Sequence, residues 1–445
     1  MLSAEENDLL TRVEGRAPMG QLMRRHWIPA ALAEQLSASG GDPVRLRVLG
    51  EDLVAFRDSS GRPGVLGEQC PHRKASLFFG RNEECGLRCL YHGWKIDVEG
   101  NVLEMVSEPP ESRFMEKVKH TAYPTHEGGG FIWIYMGPPD QMPDFEPPSW
   151  APTAETQVSI VRIEVPCNWA QIMEGQIDSA HSSSLHSSDM VPAEVNTAMA
   201  ADTHWTRPST DKSPRIQVQL TNYGMRYAAV RRPIMNADTH DYVRITAFVA
   251  PFTALIPPNS SYNVASVIVP RDDTSSYFNF IAWSESGGIE QDTWRKFCVA
   301  QVGVDVDANY RPLLRTQANN YGQDREAMRR GNFTGISGIP NQDIAMWVSM
   351  GPIADRTSER LGSSDIAVVQ LRRVLLAAVR RFVATGQVIG FGESRVPHAR
   401  LKSYQGVVPK TEDWRSLGLS DAESAVLGGL EEDAVEQDMA DLGRH

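Results

Sequence analysis

Two short segments place cysteine and histidine side chains at spacings that suit an iron–sulfur centre. The first is Cys70-Pro-His72 and the second is Cys89-Leu-Tyr-His92, so each segment offers one thiolate and one imidazole. Two thiolates on one iron and two imidazoles on the other are the ligand set of a mixed-ligand [2Fe–2S] cluster. Because neutral imidazoles bring less negative charge than thiolates, such a cluster accepts an electron more readily than an all-cysteine one. The spacing therefore predicts a centre that handles single electrons.

The same four side chains leave one alternative, which is a tetrahedral zinc site. Zinc fingers usually pair cysteine with cysteine and histidine with histidine, whereas each segment here mixes the two types. Gly93 would relieve the backbone beside the second segment, and Tyr91 and Trp94 would shield a cluster from water. Cys85 lies between the segments but breaks their spacing, so we expect a free thiol there. The favoured prediction is a [2Fe–2S] cluster of the Rieske type.

A second set of candidate metal ligands lies further along the chain. His181 and His186 are five residues apart, about 140° around an ideal helix, so they converge only where a helix ends or widens. Two histidines and one carboxylate form the facial triad of mononuclear non-haem Fe(II), which keeps positions open for O₂. A lone His-x₄-His pattern is a weak signal, because two polar surface histidines produce it as well. Asp178 just before the pair, and the cluster pattern upstream, favour iron.

Hydrophobic patterns predict the elements that carry these residues. Ser3 and Glu6 form a capping-box pattern at the start of a short helix. Alternating apolar residues with frequent glycine and proline predict short strands over about 44–135. The proline-rich run 137–152 indicates a domain boundary, because proline disfavours both helix interiors and central strands. We therefore expect an N-terminal helical segment (1–25), a cluster-binding domain (26–150) and a catalytic domain (151–445).

Beyond the boundary the pattern mixes helices and strands. Helical signals surround residues 169–185, and a strong helix is predicted over 365–384 with Gly386 as its stop. Strand patterns cover 216–220, 242–249, 262–269 and 277–283. Strands grouped between helices are typical of an α+β domain with an antiparallel sheet. The acidic stretch after Ser420 predicts a solvated surface helix.

Composition restricts the possible partners. The chain has 445 residues, enough for more than one domain, and its net charge of −12 argues against general binding to nucleic acids or anionic membranes. Apolar stretches are too short for a transmembrane helix, and the N-terminus lacks the pattern of a secretory signal. Five cysteines, two of them assigned to iron, suit a reducing compartment. We therefore expect a cytoplasmic protein.

Four segments together resemble the Rieske non-haem iron aromatic-ring hydroxylating oxygenases, and the whole length resembles large (alpha) subunits of the phthalate 4,5-dioxygenase group. The segments lie at 70–72, 89–94, 174–186 and 341–356. The resemblance implies an all-β Rieske domain followed by an α+β catalytic domain whose antiparallel sheet and helices enclose the iron. It implies two ligand sets: Cys70, His72, Cys89 and His92 for the cluster, and His181, His186 and Asp343 for the mononuclear iron.

Three further carboxylates matter to the iron site. Asp355 competes with Asp343 as the third ligand, but Asp355 precedes Arg356 and is expected to form an ion pair with it. By the resemblance, Asp178 is the aspartate that bridges an iron-bound histidine to a cluster histidine of the neighbouring subunit. Many relatives carry asparagine four residues before this aspartate, where this chain has Glu174, so the surroundings of the open iron position stay undetermined.

The bridge implied for Asp178 would join His181 to the neighbouring subunit's counterpart of His92. A carboxylate that accepts hydrogen bonds from both imidazoles would fix their tautomers and shorten the electron path. Such a bridge is useful only across a subunit boundary. The resemblance therefore implies a trimer, or two stacked trimers that form a hexamer.

Candidate substrate contacts follow from the strand predicted at 242–249. Alternation places Arg244 between Tyr242 and Phe248 on one face, where a guanidinium flanked by aromatic rings suits an aromatic carboxylate. Arg207 is the candidate for a second cationic contact, and Ser179 could add a hydroxyl donor. The alternative for each arginine is a surface ion pair, and the substrate contact is favoured.

The resemblance implies dioxygenation of a benzenedicarboxylate, with phthalate as the first choice, to a cis-dihydrodiol. O₂ is the co-substrate, and NADH supplies electrons through a separate flavin and iron–sulfur reductase, since this chain lacks a glycine-rich dinucleotide fingerprint. Alternatives within the class are isophthalate, phenoxybenzoate or another aryl carboxylate, and monooxygenation or O-demethylation. Outside it, the alternatives are a stand-alone Rieske electron carrier and a zinc-stabilised binding module. The long segment beyond residue 150 argues against a simple carrier.

Overall fold

A computed structural model describes residues 1–36, 38–109, 111–193, 205–257, 262–391, 396–421 and 423–424. The chain divides into two compact units. The larger contains Met1–Arg12, Glu146–Ile268 and Asp273–His445, and the smaller contains Val13–Phe145 and Val269–Asp272. The division after residue 145 falls inside the proline-rich run, and the first twelve residues belong to the larger unit. The helix predicted after Ser420 falls almost wholly outside the described residues.

The helices are numbered here in chain order. They are α1 (Ala4–Thr11), α2 (Pro18–Met23), α3 (Trp169–Ile177), α4 (Gln291–Phe297), α5 (Arg325–Arg329), α6 (Ile339–Ser349) and α7 (Ile366–Thr385). The predicted capping box is present, because Ser3 Oγ accepts from the Glu6 amide and Glu6 Oε2 accepts from the Ser3 amide. The long helix α7 ends at Gly386, whose φ of 77° is the left-handed conformation that glycine adopts without strain.

The smaller unit consists mainly of short antiparallel strands. They are β1 (Trp27–Leu32), β2 (Val44–Val48), β3 (Glu51–Arg57), β4 (Pro63–Gly67), β5 (Arg81–Glu83), β6 (Gly86–Arg88), β7 (Lys95–Ile96), β8 (Val102–Glu104), β9 (Ala122–Tyr123), β10 (Thr125–Gly128) and β11 (Phe131–Tyr135). They form sheets in the orders β1-β11-β10, β2-β3-β4-β9 and β5-β6-β7-β8. A buried cluster that includes Phe56, Leu66, Leu87 and Trp94 packs between them.

The larger unit is built on an antiparallel sheet. The strands of this unit are β12 (Gln157–Val165), β13 (Met190–Pro192), β14 (Trp205–Arg207), β15 (Arg215–Thr221), β16 (Gly224–Arg231), β17 (His240–Val249), β18 (Thr253–Ile256), β19 (Asn263–Asp272), β20 (Ser275–Ser284) and β21 (Tyr404–Pro409). Strands β13 and β14 form a separate parallel pair. The main sheet has the order β12-β20-β19-β18-β17-β16-β15, with β21 also paired to β17. The predicted α+β class with an antiparallel sheet is confirmed.

Helices α3 and α6 approach each other closely at a glycine. A Cβ atom on Gly175 would lie 2.2 Å from Nε1 of Trp347, so only glycine fits at this position of α3. Glycine inside a helix costs about 1 kcal/mol relative to alanine, a cost that this approach offsets by letting α6 pack against α3. The packing matters to function because α3 precedes His181 and α6 carries Asp343.

A buried ion-pair network joins α3 to α7. Glu174 accepts from Arg356 at 2.7 and 3.0 Å and from Arg372 at 2.7 Å. Burial alone would raise the pKa of Glu174, but the two guanidiniums lower it below its usual value. Glu174 therefore serves the packing of α3, and its carboxylate oxygens are directed to these two arginines.

Candidate metal centres and substrate cavity

Two loops of the smaller unit present the first ligand set. Cys70 lies in the loop after β4, where its amide donates to the carbonyl of Ala75. Cys89 lies between β6 and β7, where its amide donates to the carbonyl of Trp94 and its carbonyl accepts from Gly93. Gly93 has a φ of 73°, which explains why glycine follows the second histidine. Each loop is thus a tight turn that holds a thiol beside a histidine.

The side chains of the two loops converge. The rings of His72 and His92 lie 4.3 Å apart between centroids, and the indole of Trp94 stacks on His72 at 4.6 Å. Burial raises the pKa of the Cys70 thiol to about 11, and the nearby Cys89 thiol contributes to the rise. A bound metal must displace such protons, because thiolate is the ligand form.

This pocket fits a mixed-ligand cluster. Cys70 and Cys89 are buried, whereas the two histidines are partly exposed. The Nδ1 atom of His72 is buried and has no hydrogen-bond partner among the described residues, as expected of a nitrogen reserved for a metal. The donors are thus two buried thiols and two adjacent imidazoles, which suit two irons of different coordination. The Cys85 thiol instead lies beside the hydroxyls of Ser59, at 3.4 Å, and Ser60, at 2.9 Å.

The second ligand set assembles where α3 ends. The helix stops at Ile177, Asp178 caps it with extended backbone angles, and a 3₁₀ turn follows over His181–Ser183. The change from helix to 3₁₀ turn brings together two histidines that a continuous helix would point apart. The predicted helical signal over 169–185 is therefore two elements with a break at Asp178.

Three ligand atoms meet at this break. Nε2 of His181 and Nε2 of His186 lie 3.2 Å apart, and Oδ1 of Asp343 lies 3.5 and 3.2 Å from them. Neighbouring ligands about one ion with bonds of about 2.1 Å are separated by roughly 3 Å, so these positions fit a single metal ion. Two imidazoles and one carboxylate form the facial set of mononuclear iron sites.

Asp178 lies directly behind this triad. Its Oδ1 accepts from the amide of Ala180 at 2.7 Å, and its Oδ2 lies 3.6 Å from Nδ1 of His181. Burial would raise the pKa of Asp178, but the interaction with His181 and the backbone amides lowers it. Burial lowers the pKa of His181, whereas Asp178 and Asp343 raise it above its usual value. The carboxylate is therefore ionised and able to orient the imidazole.

Gln342 supports the triad and was not identified from the sequence. Its Oε1 lies 2.8 Å from Nδ1 of His186, and its Nε2 donates to Asp189 at 2.7 Å and to the carbonyl of Ile336 at 2.9 Å. Because Nε2 of Gln342 is a donor, Oε1 must be the acceptor and Nδ1 of His186 carries the proton. This tautomer leaves Nε2 of His186 free for a metal. Its position beside Asp343 is the only signal that the sequence offered.

Replacing Gln342 with leucine should weaken iron binding by about 10–100-fold, the usual cost of losing a hydrogen bond to a ligand histidine. Chelator competition with Fe(II) measures the apparent affinity. Met346→Leu, an exposed position on the same helix, provides the control and should bind iron normally. Unchanged affinity in Gln342→Leu would show that His186 needs no such support.

The sequence offered two aspartates, Asp343 and Asp355, as the third metal ligand, and they lie in different surroundings. Asp343 belongs to the triad, whereas Asp355 is exposed and accepts from the amide and hydroxyl of Thr357 and from Ser358. The predicted ion pair of Asp355 with Arg356 is wrong, because Arg356 instead pairs with Glu174. A buried guanidinium turns toward the buried carboxylate, and the exposed Asp355 caps its own turn.

A cavity adjoins the triad in the larger unit. Its lining includes Asp178, Ser179, Tyr227, Arg244, Thr246 and Phe280, together with the three triad residues. Arg244 is 5% exposed, and the opposite face of β17 packs Val243 and Ile245 into the core, as predicted. The cavity therefore presents a guanidinium and an aromatic ring to the metal site.

Arg207 does not line the cavity, as a residue in direct contact with a substrate would. It is buried and donates to Oγ of Ser183 at 3.2 Å and to the carbonyl of Ser182 at 3.3 Å, so it lies behind the loop that carries the histidines. Ser179 lines the cavity and contacts Arg231. The structure thus brings Ser179 and Arg244 to the cavity and places Arg207 against its wall.

Two protein families match this chain. The family described as Rieske [2Fe-2S] domain matches residues 26–120, and the family described as LigXa C-terminal domain like matches residues 134–437. The first match contains both cluster loops, and the second contains the whole triad. The chain therefore belongs to the Rieske non-haem iron oxygenases.

Individual relatives agree with this assignment. The chain is 62% identical to the phthalate 4,5-dioxygenase oxygenase subunit of Pseudomonas putida, over 93% of this chain and 94% of the relative. It is 36% identical to the 3-chlorobenzoate-3,4-dioxygenase oxygenase subunit of Comamonas testosteroni, over 94% and 98%. The family predicted from the sequence is confirmed. This chain is accordingly an oxidoreductase that carries a Rieske [2Fe–2S] cluster and a mononuclear iron.

Solved structures share the fold. The terminal oxygenase of carbazole 1,9a-dioxygenase from Nocardioides aromaticivorans IC177 matches with a TM-score of 0.53 at 16% identity, over 84% of this chain and 97% of that one. Dicamba monooxygenase bound to 3,6-dichlorosalicylic acid matches with a TM-score of 0.54 at 17% identity, over 81% and 98%. Within the described ranges, no helix has both the length and the apolar character to cross a bilayer.

Proposed function

We propose that this chain is the oxygenase component of a two-component dioxygenase that adds both atoms of O₂ to phthalate and yields a cis-dihydrodiol. The observation that carries the proposal is the buried guanidinium of Arg244 in the same cavity as the His181, His186 and Asp343 triad. The high identity to a phthalate 4,5-dioxygenase oxygenase subunit supports the choice of substrate.

We assign the ligands as the geometry suggests. Cys70, Cys89, His72 and His92 would hold the cluster, and the triad would hold the mononuclear iron. When bound, these groups supply single electrons and a centre for O₂ activation. The protein's own part is to hold Nε2 of both histidines toward one point, which Gln342 does for His186 and Asp178 does for His181.

The charge of the cavity wall favours a dianion. Arg207 and Arg244 are each 5% exposed, and burial together with repulsion from Arg244 lowers the pKa of Arg207 to about 9. One substrate carboxylate would contact Arg244 directly, and Arg207 would add a second positive charge behind the cavity wall, which favours a second carboxylate on the substrate. Ser179, which also lines the cavity, would donate its hydroxyl to the same anion.

Arg244→Met should raise the KM for phthalate by about 30-fold, because a charge-assisted hydrogen bond contributes roughly 2 kcal/mol. Steady-state oxygen uptake with a matched reductase measures it. Arg232→Met is the matched control, since its side chain is 73% exposed. An unchanged KM in Arg244→Met would reject the carboxylate contact.

The substrate assignment is tested with a panel of ring carboxylates. Phthalate, isophthalate, terephthalate, phenoxybenzoate and a methoxybenzoate are incubated with the chain, NADH and a reductase, and products are identified by mass spectrometry. The proposal expects the highest kcat/KM for phthalate and a cis-dihydrodiol product. Preference for a monocarboxylate, or loss of a methyl group as the main reaction, would contradict it.

We further propose a flavin and iron–sulfur reductase as the electron donor and a trimer, single or stacked as a hexamer, as the assembly. Asp178 would link His181 to His92 of a neighbouring copy. The distance of 3.6 Å from Oδ2 of Asp178 to Nδ1 of His181, and the partial exposure of this carboxylate, support that role. A cytoplasmic location agrees with five cysteines of which none forms a disulfide.

A further inference from the structure

A third arginine lies beside the two already assigned to the substrate. In the β16–β17 pairing, Arg231 is opposite Tyr242 and Ala229 is opposite Arg244. Side chains two residues apart on a strand share a face, so Arg231 and Arg244 are diagonal neighbours on one face of the sheet. The small Ala229 leaves space between them for two guanidiniums.

The burial of the charged Arg231 side chain lowers the stability of the fold. Arg231 is 1% exposed, and burial followed by repulsion from Arg244 lowers its pKa to about 10. Neither Arg207 nor Arg231 forms an ion pair within the part of the chain that the structure describes. Buried charge without a partner destabilises a fold, so a neutral side chain would be preferred here if packing were the only demand.

The contacts of Arg231 indicate what its charge does. Its Nη2 donates to the carbonyl of Ser179 at 2.8 Å, and longer contacts of 3.4 Å reach Oγ of Ser179 and of Ser183. Arg207 donates to the other end of the same segment, to the carbonyl of Ser182 and Oγ of Ser183. Two guanidiniums therefore hold the backbone of 179–183 from one side.

That segment connects the functional carboxylate to the metal ligands. It begins directly after Asp178, contains His181 and ends three residues before His186. Its internal hydrogen bonds are those of one 3₁₀ turn and of nearby side chains: Asp178 Oδ1 accepts from the Ala180 amide at 2.7 Å, and the Ser179 carbonyl accepts from Ser182 Oγ at 3.0 Å. Arg231 is a second, shorter donor to the Ser179 carbonyl, at 2.8 Å, and it ties the end next to Asp178 to strand β16.

We propose that Arg231 is a positioning residue that holds the 179–183 segment, and through it the carboxylate of Asp178 and the ring of His181. The inference rests on the proposed function, in which Arg244 contacts the substrate carboxylate. Arg231 itself is absent from the cavity lining, whereas Arg244 is part of it. Loss of Arg231 should therefore change the order of the 179–183 segment, whereas loss of Arg244 should change the affinity for the substrate.

The test compares Arg231→Met with Arg244→Met and with the exposed control Arg232→Met. Amide hydrogen exchange of peptides that cover 179–187 is measured in the full chain with its cluster intact and its mononuclear iron removed. Arg231→Met should accelerate exchange there by about tenfold or more, the loss expected of a charge-assisted hydrogen bond. Arg232→Met should leave it unchanged, and the cluster spectrum confirms folding.

Binding and turnover complete the comparison. Calorimetric titration with phthalate should give a Kd within about threefold of the wild type for Arg231→Met, with kcat reduced about 10–100-fold by misplacement of reacting groups. Arg244→Met should show the opposite pattern, with weakened binding. Arg231→Lys keeps the charge on a side chain that is one bond shorter than that of arginine, so it should show a smaller acceleration of exchange than Arg231→Met.

Two results would overturn the inference. One is unchanged exchange in both Arg231 variants. The other is a loss of phthalate binding in Arg231→Met as large as in Arg244→Met, which would make Arg231 a direct contact. If Arg231→Met fails to fold, Arg231→Lys provides the test. Exchange of 179–187 at the wild-type rate in Arg231→Lys would then reject the positioning role of Arg231. If the wild type itself does not bind phthalate, the proposed substrate is wrong, while ligand-free exchange still tests Arg231.

Discussion

Asp343→Ala is expected to abolish turnover and to remove the mononuclear iron while the visible spectrum of the cluster stays unchanged. Oδ1 of Asp343 completes the triad at 3.2 and 3.5 Å from the two histidine nitrogens. Loss of a partner that merely supports a ligand costs about 10–100-fold in affinity, so loss of the ligand itself should exceed that. Iron analysis, cluster absorbance and oxygen uptake are measured on one preparation.

Asp355→Ala is the matched control for that experiment. Asp355 is the carboxylate that the sequence offered as the competing ligand, and it is exposed and occupied by Thr357 and Ser358. Its replacement should leave the iron content and kcat at wild-type values. If instead Asp355→Ala loses iron and Asp343→Ala retains it, the triad described here does not bind the metal.

Asp178→Asn is expected to retain both metal centres and to slow oxidation of the reduced cluster during a single turnover by about 10–100-fold. The amide oxygen of asparagine can still accept from the Ala180 amide, so the break after α3 should survive. Its NH₂ group would face Nδ1 of His181 in place of an acceptor. Stopped-flow absorbance with phthalate and O₂ measures the rate.

Asp211→Asn makes the same chemical change at a carboxylate that caps a loop, where it accepts from the Ser213 amide. It should oxidise its cluster at the wild-type rate. A wild-type rate in Asp178→Asn would mean that electrons reach the iron without this carboxylate. A loss of mononuclear iron in that variant would mean that Asp178 supports the metal site rather than electron transfer.

Local patterns predicted a large share of the fold, because they depend on neighbours in the sequence. The capping box of α1, the stop of α7 at Gly386 and the strands β15, β17, β19 and β20 followed from spacing and alternation. Strand β16 was not predicted, although Asn222 and Tyr223 form the turn that pairs Thr221 with Gly224. Because β16 carries Tyr227, part of the cavity wall was missed with it, and so was Arg231 behind that wall.

The cysteine and histidine ligands of the candidate site were predicted because their chemistry requires a short spacing along the chain. Residues that act through contacts with distant parts of the chain were missed. His181 and His186 are close in sequence, and the break that joins them could be anticipated from the angle between them. Gln342 and Arg231 act through residues about 50 to 150 positions away, at 2.8 Å in each case. The partner of Arg356 was assigned to its neighbour Asp355 for the same reason, since sequence shows adjacency but not burial.

The most direct test uses the chain alone, chemically reduced and mixed with phthalate and ¹⁸O₂ in the absence of any reductase. We expect the cluster to oxidise and a cis-dihydrodiol to form with both new oxygen atoms labelled, in an amount comparable to the mononuclear iron. Oxidation of the cluster without labelled product from phthalate would contradict the account.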